Sequence, residues 1–327
     1  MERDDVDVLL LGREANARTV SDAARLWLAG TRLFSPGCVV VRRTGAVHVL
    51  ANTDAVVPPG FPVDHLYGVT WNPEKLLASL VAIDGVRDAR RVGVDGMTPL
   101  ARALLERATP GCELVDAGRM FAELWGVPDP EKLAGVAHAA SVAAAGLEAM
   151  VAALRPGARP CDLRGICAQE LASWGAAPPA FEAVAAPFGP DASTWLPPEH
   201  AFTDGELAVL RAGALREGWE ASVARTLRVG SPSVEQPAPA GWDALVGACV
   251  PGTTAGELRA RGAVVAGAGR GTEPWPDDLV LVAGLVAAIE YRDESGLRQD
   301  VVRITDAAPD VVSESARHLL RRRPLSS

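Results

Sequence analysis

The feature that most constrains how this chain can fold is a repeated nonapeptide. Residues 156–164 read PGARPCDLR and residues 251–259 read PGTTAGELR, so each gives Pro-Gly, four residues, an acidic residue and Leu-Arg. Pro-Gly turns the chain or ends a helix. An acidic residue soon afterwards suits the positive end of a new helix. Two such units 95 residues apart predict a duplicated half of strands and helices, and so two halves related by a pseudo-twofold axis.

The segment Gly205–Gly230, GELAVLRAGALREGWEASVARTLRVG, reads as strand, Gly-containing turn and strand, ending in Arg225-Thr226. Upstream, Asp129 is placed to cap a helix with Pro130 in its first position and Glu131 near its positive end. That helix carries Leu133, Val136, Ala140, Leu147, Val151 and Leu154 on one face and stops at Pro156-Gly157. The first third of the chain alternates strands (Val6–Leu11, Cys38–Arg42, Ala46–Ala51, Arg91–Val94, Glu113–Val115) with helices (Val20–Gly30, Pro73–Ile83, Pro99–Ala108), and Asn72 is a cap for the second helix. Such alternation predicts a small sheet flanked by helices.

Length and composition suit two domains. The chain has 327 residues, and 48% are hydrophobic. A net charge of −9 argues against nucleic acid or an anionic membrane surface as a partner. Five scattered cysteines, with no Cys-x-x-Cys pair, point to reduced, buried thiols. The N-terminus is acidic before its apolar run, the reverse of a secretory leader. No uninterrupted apolar stretch approaches the ~18–20 residues of a membrane span. A cytoplasmic location is expected.

In its motifs the chain resembles the creatinase, aminopeptidase P and methionine aminopeptidase family of pita-bread folds. That family's hairpin has Gly-Asp, three apolar residues, a ligand Asp, a Gly, a Gly-aromatic pair, a second ligand Asp and Arg-Thr. Here Gly205-Glu206, Arg211, Gly213, Gly218-Trp219, Ser222 and Arg225-Thr226 stand in that order. Gly267-Ala268-Gly269-Arg270-Gly271 matches a Gly-His-Gly element with alanine in place of histidine, and Thr272-Glu273-Pro274 resembles the Glu-Pro segment adjoining that element. Glu290 matches the first ligand Glu, and Leu297-Arg298-Gln299-Asp300 matches Arg-x-Glu-Asp with Gln299 in place of the second. The resemblance implies an α+β architecture. Residues 1–127 are a creatinase-like N-terminal α/β domain with an Asn-x-Arg opening at Asn16 and Arg18, residues 128–310 a pita-bread domain with pseudo-twofold halves, and residues 311–327 a tail. It also implies a homodimer.

The family uses two Asp, one His and two Glu to hold two divalent ions that generate a hydroxide and polarise a scissile carbonyl. At the matching positions this chain has Arg211, Ser222, Ala268, Glu290 and Gln299. A guanidinium has no lone pair for a metal. No metal or other cofactor is therefore expected, and no two-metal peptidase activity. Where the family has a His-Pro element after Phe188-Gly189, the chain has Trp195-Leu196-Pro197, with His200 nearby on the surface. Arg211 and Glu290 should face one cavity. Two readings remain open. In one they form a salt-bridged plug in a non-catalytic module. In the other Arg211, Arg225, Ser222, Gln299 and Glu220 line a pocket for a small zwitterionic or carboxylated ligand, with Trp195 and Trp219 as its apolar wall and Glu290 as a candidate general base.

Overall fold

The computed structural model describes residues 1–23, 37–70, 72–125, 127, 129–176, 183–189, 201–230, 239–269 and 273–315. The chain divides into two compact units, Met1–Leu124 and Trp125–Ser327.

The first unit runs β1 (Val8–Leu11), α1 (Glu14–Ser21), β2 (Cys38–Val41), β3 (Ala46–Leu50), β4 (Leu66–Tyr67), α2 (Pro73–Ala82), β5 (Arg91–Val94), α3 (Pro99–Ala108), β6 (Glu113–Asp116) and α4 (Gly118–Trp125), whose last residue begins the second unit. Its six-stranded sheet has the order β4-β3-β2-β1-β5-β6. The continuous apolar run of β1 is buried throughout, as a central strand covered on both faces requires. Asn72 and Thr98 cap α2 and α3 through side-chain oxygens that accept backbone N–H groups, with proline in the first turn of each helix. Most of the helix expected over Val20–Gly30 falls outside the described residues. The described helix α1 starts at Glu14 and ends at Ser21, where Asp22 takes a left-handed φ of 53°, and residues 24–36 lie outside the described residues.

One buried carboxylate organises the junction of β1, α1 and β5. Asp95 accepts Gly12 N at 2.6 Å, Arg13 N at 3.2 Å and Asn16 Nδ2 at 2.9 Å, while Arg13 Nε donates to the Asp95 carbonyl at 2.7 Å. Gly12 allows this approach, since a Cβ there would stand 1.9 Å from the Gly96 carbonyl oxygen. Asn16 of the Asn-x-Arg motif is thus a structural donor.

The second unit runs α5 (Pro130–Ala153), α6 (Pro160–Ser173), β7 (Val184–Pro187), β8 (Leu207–Arg216), β9 (Trp219–Arg228), α7 (Trp242–Gly247), α8 (Ala255–Ala260), β10 (Ala263–Gly267), β11 (Glu273–Pro274), β12 (Val286–Asp293), β13 (Gly296–Arg303), β14 (Asp310–Val311) and α9 (Val312–Ser315). Its sheet has the order β11-β10-β12-β13-β9-β8-β7, with β14 on β13. Asp129 caps α5 by accepting Glu131 N at 2.9 Å. By length and composition α5 is apolar enough to cross a bilayer, and more than half of that stretch is buried inside the unit. Val142, Ala143, Leu147 and Met150 of α5 form a core with Leu163, Cys167 and Leu171 of α6 and with Ala208, Leu210, Ala212, Val223 and Leu227 of the β8–β9 hairpin.

The repeat is a structural one. Gly157 and Gly252 both take left-handed φ, 87° and 92°, in the turns before α6 and α8. Gly157 N donates to Phe202 O while Phe202 N donates to Ala158 O; in the other half Gly252 N donates to Leu281 O and Leu281 N to Thr253 O. The correspondence continues. Gly205 N bonds Val229 O and Val229 N bonds Glu206 O, as Gly284 N bonds Ile304 O and Ile304 N bonds Leu285 O. Phe202 and Leu281, and Gly205 and Gly284, are each 79 residues apart, the separation that also relates Arg211 and Glu290. Residues 310–312, of which 311 and 312 were expected in the tail, pack on the second unit, because β14 pairs with Val302 and Arg303 of β13 and Val312 is buried.

Burial raises the Asp95 carboxyl to about 6, against the bonds it accepts from Asn16, Gly12 and Arg13. Its folded-state value stands above the ~3.9 of an unfolded chain. The folded unit therefore holds the proton more tightly, and stability falls as pH rises between those values. Asp95→Ala should lower stability by about 2–4 kcal/mol, because three N–H donors lose their acceptor. It should also remove the downward slope between about pH 4 and about pH 6. Denaturant titrations across that range measure both effects, and an unchanged slope would mean that another group causes it.

Candidate functional site

Successive pairings align Val184, Arg211, Ala224, Gln299, Glu290 and Val264 in one row across β7, β8, β9, β13, β12 and β10. Residues directly opposite across paired strands share a face of the sheet, so the row projects from one side. Arg211 and Glu290 stand three strand spacings apart, about 14 Å on a flat sheet. Even so, Arg211 Nη2 donates to Glu290 Oε2 at 2.5 Å. Both side chains must lean toward each other over Ala224 and Gln299, and the methyl group of Ala224 leaves them room. Each is 25% exposed, so the pair is partly desolvated.

Beneath that bridge Gln299 is buried at 8% exposure. Its Nε2 donates to Ser222 Oγ at 2.9 Å, while its Oε1 has no hydrogen-bond partner among the described residues. Ser222 is buried and stands across from Gly213, which brings no side chain to that position. On the other side of the row Val209, Ala224 and Leu297 form a small apolar cluster with Phe188 packed against it. Arg292 lies 5.0 Å over the Phe188 ring and donates to Gly189 O.

The structure therefore brings Arg211, Glu290, Ser222 and Gln299 together. It does not bring the Trp219 side chain to them, and it brings Arg225 only to the backbone of Gln299. Side chains alternate faces along a strand, so Ser222 and Ala224 share the site's face while Trp219 and Arg225 project from the other. The Trp219 indole packs against Gly135 of α5, where a Cβ would stand 2.2 Å from the ring. Arg225 Nη2 binds Asp300 at 2.9 Å and its Nη1 donates to Gln299 O at 3.0 Å. Of the two tryptophans expected as an apolar wall Trp219 faces α5, and the apolar side chains described beside the row are Phe188, Val209 and Leu297. Those three, with Ala224, are what sequence reasoning missed; strand parity counted from Arg211 and Ser222 would have located Val209 and Ala224. Ala268 is buried in a core with Val136, Ala139 and Ala140 of α5. Glu220 is buried too, its backbone N–H bonding Gly269 O. Trp195 and His200 lie outside the described residues. Among the described residues no three of His, Cys, Asp and Glu gather as a metal-holding group.

Comparison with known proteins places this geometry. Residues 134–286 match metallopeptidase family M24. The prolidase of Pyrococcus horikoshii OT3 superposes with a TM-score of 0.73 at 17% identity, over 96% of this chain and 95% of that one. The prolidase of Pyrococcus furiosus gives 0.70 at 17% over 96% of each chain. The X-Pro aminopeptidase of Thermotoga maritima MSB8 gives 0.62 at 13% over 95% and 97%. No curated protein sequence matches the chain. At these identities the structural likeness is one of fold, the pita-bread fold with its N-terminal domain.

A pair that is one-quarter exposed falls between an exposed ion pair, worth about 0–1 kcal/mol, and a fully buried one, whose breakage costs about 3–5 kcal/mol. Arg211→Ala should lower stability by about 1–3 kcal/mol, and Arg211→Glu by more, because two carboxylates then face each other. Since the two positions are equivalent in the two halves, adding Glu290→Arg to Arg211→Glu should restore most of the loss. Equilibrium unfolding of the four proteins tests this, and a double variant no better than Arg211→Glu would refute the pairing.

Proposed function

From the premise that residues 134–286 form a domain of metallopeptidase family M24, we propose that this chain keeps the fold and has replaced its dinuclear metal chemistry with a small-molecule pocket. The observation that carries this reading is the Arg211–Glu290 ion pair. The resemblance of the motifs assigns the metal-ligand positions to Arg211, Ser222, Ala268, Glu290 and Gln299. Divalent ions need lone-pair donors, preferably carboxylate and imidazole. A guanidinium and a methyl group offer none, and a hydroxyl and a carboxamide are neutral. Glu290 alone is a strong donor, and its carboxylate is engaged by Arg211. This set does not fit a pair of divalent cations.

The same bond favours binding over catalysis, because Glu290 could act as a base only after losing its cationic partner. The ion pair uses one Nη of Arg211, and a guanidinium has further N–H donors to offer an oxygen acceptor, a carboxylate included. Phe188, Val209 and Leu297 supply apolar surface beside it. We place a small zwitterionic or carboxylated ligand in that setting.

Protein purified without chelator should carry well under one divalent ion per chain by elemental analysis, and should leave Xaa-Pro dipeptides intact. A fourfold variant, Arg211→Asp, Ser222→Asp, Ala268→His and Gln299→Glu, should gain affinity for manganese or cobalt measurable by calorimetry. Two tightly held ions per wild-type chain would overturn the proposal.

A further inference from the structure

The first unit carries two neighbouring histidine rings that have no role in the pocket of the second unit. We infer that His48 and His65 form an acid-sensitive latch, which keeps the end strand β4 on its sheet while the rings are neutral and releases it when both carry charge. Register brings the rings together. β3 and β4 run parallel, with Val49 beside Leu66 and Leu50 beside Tyr67. One step back along each chain segment, His48 stands beside His65, the last residue of the single turn Val63–His65 that leads into β4. The ring centres lie 4.4 Å apart and the planes are tilted by 35°. Phe61 meets the His65 ring edge-on at 6.3 Å. Both histidines are half-buried, so solvent protons reach them.

Two imidazolium ions at this separation repel. The charges that act on His48 are those of His65 and Asp64, both from the turn before β4. Neither Glu14 nor Arg18 of α1, which also packs on β3, is among them. Val39, opposite on β2, is apolar. Burial, and then the charge of His65, hold His48 below the ordinary range of histidine, while the carboxylate of Asp64 works against them. Asp64 is exposed, so solvent weakens its pull. The neutral pair is therefore the stable one in the closed sheet. Once β4 is released, both rings return to an ordinary value of about 6.5. The released form binds more protons, so release gains as pH falls below that value.

Few other contacts hold β4. It comprises Leu66 and Tyr67 alone and pairs on one side only, as the end strand of the order β4-β3-β2-β1-β5-β6. Ala51 N donates to Tyr67 O at 3.1 Å, and Val69 N donates to Asn52 Oδ1 at 2.8 Å. Tyr67 is the anchor, buried with Leu50 and Leu76 in the core of the unit. When the rings repel, the turn carrying His65 moves away from β3, and β4 follows because Leu66 is the next residue. Release uncovers a tyrosine and opens one edge of the sheet.

Amide hydrogen exchange of the full-length chain, corrected for the intrinsic pH dependence of exchange, reads the latch at Ala51. Between about pH 7.5 and about pH 5.5, protection there should fall at least about fivefold, within the tenfold per pH unit that each additional bound proton allows. The double variant His48→Gln with His65→Gln should keep its protection over the same range. Asp95 does not account for such a fall, because its raised value makes the unit more stable as pH drops. Ring resonances followed by NMR should show His48 titrating below a free histidine in the wild type and moving up toward it in His65→Gln. Unchanged protection at Ala51 in the wild type would overturn the latch, and that measurement stands even where a variant fails to fold. An equal fall in the double variant would overturn it too. So would a His48 midpoint that is the same in the wild type and in His65→Gln, since the two rings would then titrate independently.

Discussion

The second unit hangs on a narrow seam. Its two halves meet where β9 lies beside β13, and only Arg225 opposite Arg298 and Ala224 opposite Gln299 are paired there. So short a ladder contributes few backbone hydrogen bonds, and side chains make up the rest. Asp300, which has no exposed surface, accepts Arg225 Nη2 at 2.9 Å, Arg298 Nε at 2.8 Å and Ser313 Oγ at 2.5 Å. Thr226 Oγ1 takes the backbone N–H of Leu297 at 2.8 Å. Charge-assisted bonds in a dry setting are among the stronger ones a protein makes. They fix the register of β9 against β13, and that register alone brings Ala224 beside Gln299 and so sets Arg211 and Glu290 over one spot.

The pseudo-twofold relation gives the ion pair its meaning. Arg211 and Glu290 stand at matching places in the two halves, each in the row that crosses the seam. Like charges at two such positions would repel unless a cation lay between them. Opposite charges satisfy each other directly. With one Arg and one Glu the same backbone closes on itself, and the space beneath is left to neutral groups, Ser222 and Gln299.

Much of this was legible in the residues because it rests on local rules. The Pro-Gly turns, the caps at Asn72 and Asp129 and the β8–β9 hairpin stem from conformational preferences that act over a few residues. The motif order also placed Arg211 and Glu290 in one site. What went astray did so through parity. Trp219 and Arg225 lie in the right strand, but an odd step from Ser222 sends a side chain through the sheet, toward α5 and Asp300 respectively. Position relative to a motif does not fix a face until the strand's first paired residue is known.

By itself the sequence determined that this chain has duplicated halves, which elements build them, and that a cation, a hydroxyl, a methyl, a carboxylate and a carboxamide stand at residues 211, 222, 268, 290 and 299. Those are properties of residue type and of neighbours along the chain. Tertiary structure alone decided that the cation of Arg211 pairs with the carboxylate of Glu290, that Phe188, Val209 and Leu297 cluster beside them while Trp219 turns to α5, and that Gln299 Oε1 is buried with no partner among the described residues. Each of these depends on strands far apart in sequence meeting in one register, and no local preference encodes a distance between side chains on different strands.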